Sequence, residues 1–429
     1  MSFEIVSLTQ AHEIPNQVGQ YSILEILGSG AFATVYKAQH VFTMTPVAIK
    51  VIPKKNLRNK VEFELLQREV SLIKSMDHPF IAMFYEALDD DKNFYLVQEL
   101  VENGNLLDYV NACKGLSERQ AAHIFIQLIS VLDYLHNVRH VAHRDLKAEN
   151  VLLDRNNNVR LVDFGLSKAF TRDDPFLKTT CGSPAYVAPE IIREQPYTAA
   201  ADIWSTGILL YAMTVGQLPF SGDNISYMLQ QILLVNPRMP HHLSPSLRNL
   251  LERLLVKEPN TRITISEIEN HPWVSGEPEA CLFSTEKRVD SLKVVDPQHL
   301  DSGVISEMRI LGIDTSGLVQ ELTANQINSR TAVYKMLRRQ KSMDELNNWN
   351  QGGQPIPNNA FQNSALPPLS PNKKDQEDHK KGTGILPNAT GLRRPGDTGH
   401  KAAGPRMRAR KLNNRNSKNH PIVIPTAIH

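Results

Sequence analysis

The sequence has little of several features that define protein classes. It contains three cysteines, Cys113, Cys181 and Cys281, which lie far apart and form no C-x-x-C pair. Neither a disulfide framework nor a cysteine zinc site is therefore expected. The longest apolar run, from Gly207 to Val215, is about half of the roughly 20 residues that a membrane-spanning helix needs. The net charge is only +2, which excludes a uniformly basic or acidic chain.

The composition of the two ends of the sequence predicts where the protein is located in the cell and which part of it is disordered. The first 20 residues contain no basic segment followed by an apolar one, and Ser2 stands where myristoylation needs glycine. Residues 341–429 hold 14 lysines and arginines against 6 acidic residues, and they lack apolar periodicity. We expect a disordered basic tail, no transmembrane segment and a cytoplasmic chain, with the nucleus as the alternative. The tail cations are interpreted as solvated, so no nucleic-acid partner is expected.

The apolar pattern divides the chain into a strand-rich part and a helix-rich part. Short β-like runs fill residues 21–100, interrupted by one helical stretch in which Leu65, Leu66, Glu69 and Val70 share a predicted face. Beyond these runs the period is mostly helical. This order predicts an α+β fold with a small β-rich lobe followed by a larger helical lobe.

A glycine-rich turn lies between two of the predicted strands. In GSGAFATV, residues 28–35, Gly28 and Gly30 stand where backbone amides can approach a phosphate without an intervening Cβ. A strand follows, whereas a dinucleotide-binding loop is followed by a helix. Taken alone, the turn is more typical of an ordinary glycine hairpin.

A lysine and a glutamate are candidates for a buried ion pair. Lys50 ends the strand-like run VAIK, and Glu69 lies on the apolar side of the predicted helix. A carboxylate there is costly unless it is paired. We therefore expect Glu69 to hold the Lys50 ammonium toward nucleotide phosphates; an edge lysine is the alternative.

The strongest pattern consists of two motifs in a fixed order. HRDLKAEN, residues 143–150, is followed after two strand-like runs by DFG at residues 163–165. The two motifs supply carboxylates, an amide and cations, which suit a magnesium and phosphate site. Each motif alone is typical of a solvated loop, but all the motifs in this order disfavour that interpretation.

These motifs carry a resemblance to a known family. Residues 21–274 resemble a eukaryotic serine/threonine protein kinase domain, in which Glu190 of APE, Arg262 and Asp202 match further family positions. HRDLKAEN, CGSPAYVAPE and HPW are similar to the calmodulin-dependent-kinase-like group, and within it to the AMP-activated protein kinase-related family. The resemblance implies the bilobal protein kinase fold, the cofactors ATP and Mg²⁺, and transfer of the γ-phosphate to Ser or Thr of protein substrates.

The resemblance also implies a domain order. MRILGI, residues 308–313, is similar to the first helix and loop of a ubiquitin-associated-like module. We expect this module to pack on the kinase domain and tune its activity; regulatory subunits or ubiquitin are the alternative partners. The predicted order is an N-terminal extension (1–20), the kinase domain (21–274), a linker (275–296), the three-helix module (297–340) and the disordered tail (341–429).

The family assigns a role to each motif residue. Asp145 would orient the substrate hydroxyl and accept its proton, and Lys147 would neutralise the γ-phosphate. Lys50, supported by Glu69, would grip the inner phosphates. The implied metal ligands are Asn150 and Asp163. The implied nucleotide-binding residues are Leu27, Gly28, Ser29, Gly30, Ala31, Phe32, Ala33, Thr34, Val35, Ala48, Lys50, Glu99 and Val101.

Regulation and specificity are also implied. Arg144 is predicted to be a buried guanidinium that needs an anion, with phosphorylated Thr179 as that anion and Lys168 as a second cation. An upstream activating kinase would then be a partner. Asn105 stands where relatives often carry an acid, so only a mild preference for basic peptides is expected, through Glu149. The alternative to an active kinase is a catalytically silent nucleotide-binding scaffold.

Overall fold

The structure, a computed structural model, describes residues 14–350 apart from 31, 58–59, 171–176, 178–182, 222–223 and 284–292, and for residues 346–350 it describes the backbone only. Ala31, Thr179, most of the predicted N-terminal extension and the predicted tail beyond residue 350 therefore lie outside the described residues.

The small lobe is one antiparallel sheet and one helix. Its six strands follow the order β1-β2-β3-β4-β6-β5. Apolar side chains on both faces of β4 and β6 are buried, which explains the near-continuous apolar runs in the sequence. The elements are β1 (Gln17–Val18), β2 (Tyr21–Ser29), β3 (Thr34–His40), β4 (Pro46–Pro53), α1 (Lys60–Ile73), β5 (Phe84–Asp89) and β6 (Asn93–Glu99).

The large lobe is mainly helical. Ser117 and Gln120 form a capping box that starts α3, and α5 ends at Gly216, whose φ of 74° and contact with the Lys114 carbonyl leave no room for a Cβ. The helices are α2 (Leu106–Cys113), α3 (Glu118–Asp133), α4 (Pro189–Ile192), α5 (Ala200–Val215), α6 (Ile225–Leu234), α7 (Pro245–Leu254), α8 (Ile265–Glu269) and α9 (Pro272–Ser275). The strands are β7 (Val141–Ala142), β8 (Val151–Leu153), β9 (Val159–Leu161) and β10 (Lys168–Ala169).

Short helical turns connect several of these elements. They are 3-10 helices at Lys54–Asn56, Ala148–Asn150, Pro259–Thr261 and Pro278–Phe283, and a π-helix at Tyr134–Val138.

Three helices follow the kinase-like region: α10 (Ser302–Ile310), α11 (Leu318–Thr323) and α12 (Ser329–Asn350). Helix α12 therefore runs ten residues past the expected end of the module at residue 340. Met343 makes a tertiary contact with Arg160, and Arg338 pairs with Glu345 within the helix. These contacts engage residues that lack apolar periodicity.

The segment predicted as a linker is anchored at both ends. Pro278–Phe283 forms a 3-10 helix, and Glu279 in it accepts hydrogen bonds from Arg119 and His123. Val294 and Val295 are buried, and their amides donate to Asp77 at 3.0 and 2.9 Å.

The described core falls into two clusters. One joins α1 and the adjacent sheet face to the helices of the large lobe. The other joins the opposite face of the sheet to residues 294–337 of the C-terminal extension. The phase of α1 is also corrected: Leu65 is 37% exposed, whereas Glu62, Leu66, Glu69, Val70 and Ile73 are buried.

None of the helices in the described residues has the length and apolar composition that crossing a membrane requires.

Candidate active site

The ion pair expected in the small lobe is formed. Strand β4 places Lys50, α1 places Glu69, and the Lys50 Nζ lies 3.3 Å from Glu69 Oε1. The Glu69 carboxylate, helped by Asp163, raises the pKa of Lys50 above its ordinary value despite burial. Lys50 is thus a fixed cation facing the second lobe.

The glycine turn joins β2 to β3. Gly28 pairs with Val35 and Ser29 with Thr34, and the Gly30 amide donates to the Ala33 carbonyl. A Cβ built on Gly28 would meet no described atom within 4 Å, and its φ is not positive. Neither the local backbone nor the neighbouring protein atoms require glycine there, so the open space fits the approach of a ligand such as a phosphate.

The other residues expected to bind the nucleotide lie on the small-lobe sheet and on the segment that follows β6. Leu27 and Phe32 are exposed, Ala48 is buried and pairs with Gln98 across the sheet, and Val101 is half-buried. Glu99 differs from the expectation, because its side chain is held by two arginines and the Met83 amide. Its carboxylate is therefore engaged with the protein.

The Asp145 carboxylate accepts hydrogen bonds from three residues, Lys147, Asn150 and Ser183. Its Oδ2 accepts from Lys147 Nζ at 2.7 Å and from Asn150 Nδ2 at 3.3 Å. Its Oδ1 accepts from both the amide and the hydroxyl of Ser183, at 3.0 and 2.9 Å. These four donors fix the orientation of the carboxylate.

Ser183 is a contact that the sequence analysis missed. It lies in CGSPAYVAPE, which was interpreted only as a family signature. A hydroxyl residue shortly before Glu190 could have been singled out, but spacing alone does not indicate that it reaches Asp145.

A buried aspartate supports the backbone of this loop. Asp202, at the start of α5, accepts from the amides of His143 and Arg144, each at 2.8 Å, and lies 2.8 Å from His136 Nε2. Burial raises the pKa of Asp202, but the His136 contact and the other hydrogen bonds bring it below its ordinary value. The two hydrogen bonds to Asp202 hold the loop backbone where Arg144 has a φ of 68°, a conformation that is strained for a residue other than glycine.

Asp163 lies opposite Lys50. Desolvation alone would raise its pKa, but the Lys50 ammonium and the Gly165 amide, at 3.2 Å from Oδ1, lower the pKa below the ordinary value. The following Phe164 is buried against the His143 ring, with centroids 5.1 Å apart. Burial lowers the pKa of His143, so the imidazole is a neutral support for Phe164.

The donor set fits magnesium. The Asn150 side-chain nitrogen donates to the Asp145 backbone carbonyl at 2.9 Å and to the Asp145 carboxylate. The Asn150 side-chain oxygen has no partner among the described residues. Nowhere in the described parts of the chain do three His, Cys, Asp or Glu residues gather as a metal site. One carboxylate, Asp163, and one amide oxygen, Asn150, are a partial set of hard ligands, which is how Mg²⁺ is held when phosphates and water complete its shell.

The comparisons with known proteins agree with this arrangement. A family model described as the protein kinase domain matches residues 21–274. The chain belongs to the protein kinase family. It is 37% identical over 342 residues to the SNF1-related protein kinase catalytic subunit alpha KIN12 of Arabidopsis thaliana, covering 80% of this chain and 66% of that relative.

Two further relatives are serine/threonine-protein kinases. The chain is 37% identical over 329 residues to SIK2 of Gallus gallus and 37% identical over 334 residues to SIK1 of Rattus norvegicus, covering 75% and 76% of this chain. It spans 40% and 42% of those relatives' lengths, which is less than two thirds. These similarities identify the chain as a member of the AMP-activated protein kinase-related group.

A second kinase ion pair lies deep in the large lobe. Arg262 donates to both carboxylate oxygens of Glu190, at 2.8 and 2.9 Å, and both side chains are almost fully buried. This pair ties the end of the activation segment to the helical core.

The expected phosphate receptor is only partly described, because Thr179 lies outside the described residues. Arg144 is half-buried rather than buried, and it already donates to two neutral acceptors, the Leu166 carbonyl at 2.6 Å and the Tyr197 hydroxyl at 3.3 Å. Lys168 is exposed on β10 and pairs with Ala142 of β7, the residue directly before His143.

Asn105 has a structural role at the start of α2. Its side chain accepts from the Asp108 amide at 2.9 Å and caps α2, a position that Asn favours. Glu149 is exposed.

Proposed function

We propose that this chain is an ATP- and Mg²⁺-dependent serine/threonine protein kinase that transfers the γ-phosphoryl group to hydroxyls of protein substrates. The observation that carries the proposal is the fixed Asp145 carboxylate beside Lys147 and Asn150, facing the Lys50–Glu69 pair and Asp163. The catalytically silent scaffold is disfavoured, because every residue type that phosphoryl transfer requires is present and oriented.

Each residue then has a definite task. Asp145 orients the attacking hydroxyl and accepts its proton, while Lys147 offers positive charge beside it. Lys50 binds the inner phosphates, and its pairing with Glu69 keeps the ammonium charged and in place. Asn150 and Asp163 would hold magnesium, which when bound neutralises charge on the phosphates. The residues thus contribute positioning and electrostatics rather than a covalent step.

The test uses a degenerate Ser/Thr peptide library. Wild-type protein with Mg-ATP is expected to phosphorylate Ser or Thr peptides, and Asp145→Asn to lose this activity by about 10³-fold or more, since the hydroxyl is no longer oriented. Asp91→Asn removes an exposed carboxylate in the β5–β6 turn and should act like wild type. Equal activity of Asp145→Asn and wild type would refute the proposal.

We also propose that phosphorylation of Thr179 by an upstream kinase activates the protein. Support comes from two cations near the catalytic loop: Arg144, whose present acceptors are neutral, and Lys168, exposed on β10. After treatment with an upstream kinase, Thr179→Ala should remain at basal activity, whereas Thr180→Ala should be activated like wild type. A fully activated Thr179→Ala protein would contradict the proposal.

The helices α10–α12 are proposed to support the kinase domain rather than to bind ubiquitin or a regulatory subunit. Met308, Val333 and Leu337 share one apolar core with the small-lobe sheet, so these side chains are engaged within the chain. A cytosolic or nuclear location is proposed in keeping with the exposed Cys113 thiol.

A further inference from the structure

The Glu99 carboxylate is a buried junction between three parts of the chain. Its Oε1 accepts from Arg160 Nε at 2.9 Å, on β9 of the large lobe. Its Oε2 accepts from the Met83 amide at 3.0 Å, directly before β5, and from Arg339 Nε at 2.9 Å, on α12. The side chains of Glu99, Arg160 and Arg339 are 12%, 1% and 3% exposed.

Arg339 also binds backbone carbonyls in addition to the Glu99 carboxylate. Its terminal nitrogen also donates to the carbonyls of Pro79 and Ile81, at 2.8 and 3.0 Å. These carbonyls belong to the segment that connects α1 to β5. One guanidinium from outside the kinase domain therefore joins the hinge residue Glu99 to the connection that follows α1.

The charges in this cluster depend on one another. Burial raises the pKa of Glu99, but Arg339 and Arg160 bring it below the ordinary value, so the carboxylate is anionic. Arg160 is also paired with Asp154 at 3.0 Å. Removing one partner from such a buried group leaves an uncompensated charge and changes the position of the others.

Resting on the function proposed above, we propose that Arg339 is a positioning residue for nucleotide binding: it acts through Glu99 to hold the hinge backbone that receives the adenine. Because Glu99 begins this backbone and its side chain points into the arginine cluster, the fixed carboxylate limits the conformations of the hinge. By linkage, a nucleotide that binds the ordered hinge must also stabilise the docking of α12.

The matched control is the neighbouring residue on the same helix. Arg338 pairs with Glu345 at 3.2 Å and is partly exposed. In the full-length chain, the dissociation constant for Mg-ADP is measured by calorimetry. Arg339→Gln is expected to weaken binding about tenfold, within the usual range of coupling between sites, and Arg338→Gln less than about twofold. Equal binding by the two variants would overturn the proposal.

A double-mutant cycle tests whether Arg339 acts through Glu99. In a Glu99→Gln background, Arg339→Gln should weaken Mg-ADP binding far less than it does in wild type, because the partner charge is already gone. An undiminished loss in that background would show that Arg339 acts by another route and would overturn the proposal.

Kinetics separate positioning from general damage. Since adenine contacts are the same in the ground and transition states, Arg339→Gln should raise KM for ATP with kcat unchanged. A fall in kcat with unchanged KM would contradict the inference. If Arg339→Gln does not melt cooperatively, Arg339→Lys serves instead, together with hydrogen exchange of α12 in wild type. Mg-ADP should slow that exchange, and no slowing would refute the coupling.

The same calorimetry distinguishes this inference from the proposed function. Wild-type protein that fails to bind Mg-ADP would refute the kinase function, and this inference with it. Wild-type binding with unaffected binding by Arg339→Gln would refute the positioning role of Arg339 alone.

Discussion

The two lobes complete their apolar cores in different ways. In the large lobe, α3 and α5 are buried along most of their length and pack against each other and against α7–α9. In the small lobe, α1 covers one face of the sheet, and the other face is covered by Val294, Val295 and helices α10–α12. The large lobe is therefore packed mainly by its own helices, whereas the second face of the small-lobe sheet is covered by residues beyond 274.

This difference changes how the C-terminal helices should be regarded. A sheet exposes two faces, and a single helix can bury only one of them. Tyr36, Val47 and Val97 on the second face would otherwise form an exposed apolar patch. The helices α10–α12 are thus part of the folding unit of the small lobe, although the kinase family match ends at residue 274.

Removing the C-terminal helices is expected to lower the stability of the protein more than any other change considered below. A chain ending at residue 283 lacks the second cover of the sheet and should aggregate or melt at least about 10 °C lower, as an apolar face becomes exposed. A chain ending at residue 350 keeps the cover and is the control. Thermal melting of both, followed by circular dichroism, tests this; equal melting temperatures would show that the small lobe is self-sufficient.

The buried Arg262–Glu190 pair tests how strongly the large lobe depends on its internal contacts. Arg262→Met leaves the Glu190 carboxylate buried without its two donors, and it should cost about 3–5 kcal/mol of unfolding free energy. Arg253→Met breaks an exposed pair with Glu267 at 2.6 Å and should cost less than about 1 kcal/mol. Urea unfolding measures both, and similar losses would contradict the account.

The anchor of the C-terminal extension on the large lobe predicts a pH dependence. Burial opposes ionisation of Glu279, but hydrogen bonds from His123 and Arg119 lower its pKa to about 2. Because this value lies below the unfolded one, the carboxylate stabilises the fold above about pH 4.5, and that stabilisation is lost as the pH falls toward 2.

The magnitude of this contribution is about 3 kcal/mol. Urea unfolding at pH 7 and pH 3 should therefore show a larger loss for wild type than for Glu279→Gln. A parallel loss in both proteins would mean that the carboxylate is not the titrating group.

The smallest expected effect concerns substrate charge. Asn105 is used as the cap of α2, so Glu149 is left as the exposed acid near the catalytic loop. Glu149→Ala should reduce a preference for peptides with an upstream Arg or Lys by about twofold to fivefold, as expected for one exposed ion pair. A peptide array that is unaffected by this substitution would remove Glu149 from substrate recognition.

Much of the site could be predicted because its members lie in short motifs. Lys50 and Glu69 were predicted as a pair from the cost of a carboxylate on an apolar helix face, and the structure contains that pair. Asp145, Lys147 and Asn150 lie within one octapeptide, so their contact follows from local geometry.

The remaining contacts depend on long separations in sequence. Nothing in the spacing indicates that Arg339 reaches Glu99, or that Asp77 binds the amides of Val294 and Val295. The contacts of residues 294–295 and the continuation of α12 to residue 350 were not foreseen for the same reason. Periodicity indicates which side of an element is buried, but not which distant element packs against it.

The most direct test measures nucleotide binding and phosphoryl transfer in the same samples. Wild type should bind Mg-ATP and move the γ-phosphate to Ser or Thr of a peptide. Asp145→Asn should bind Mg-ATP with similar affinity and transfer almost none. A wild-type protein that binds nucleotide without transfer, or an Asp145→Asn protein that transfers equally well, would contradict the account.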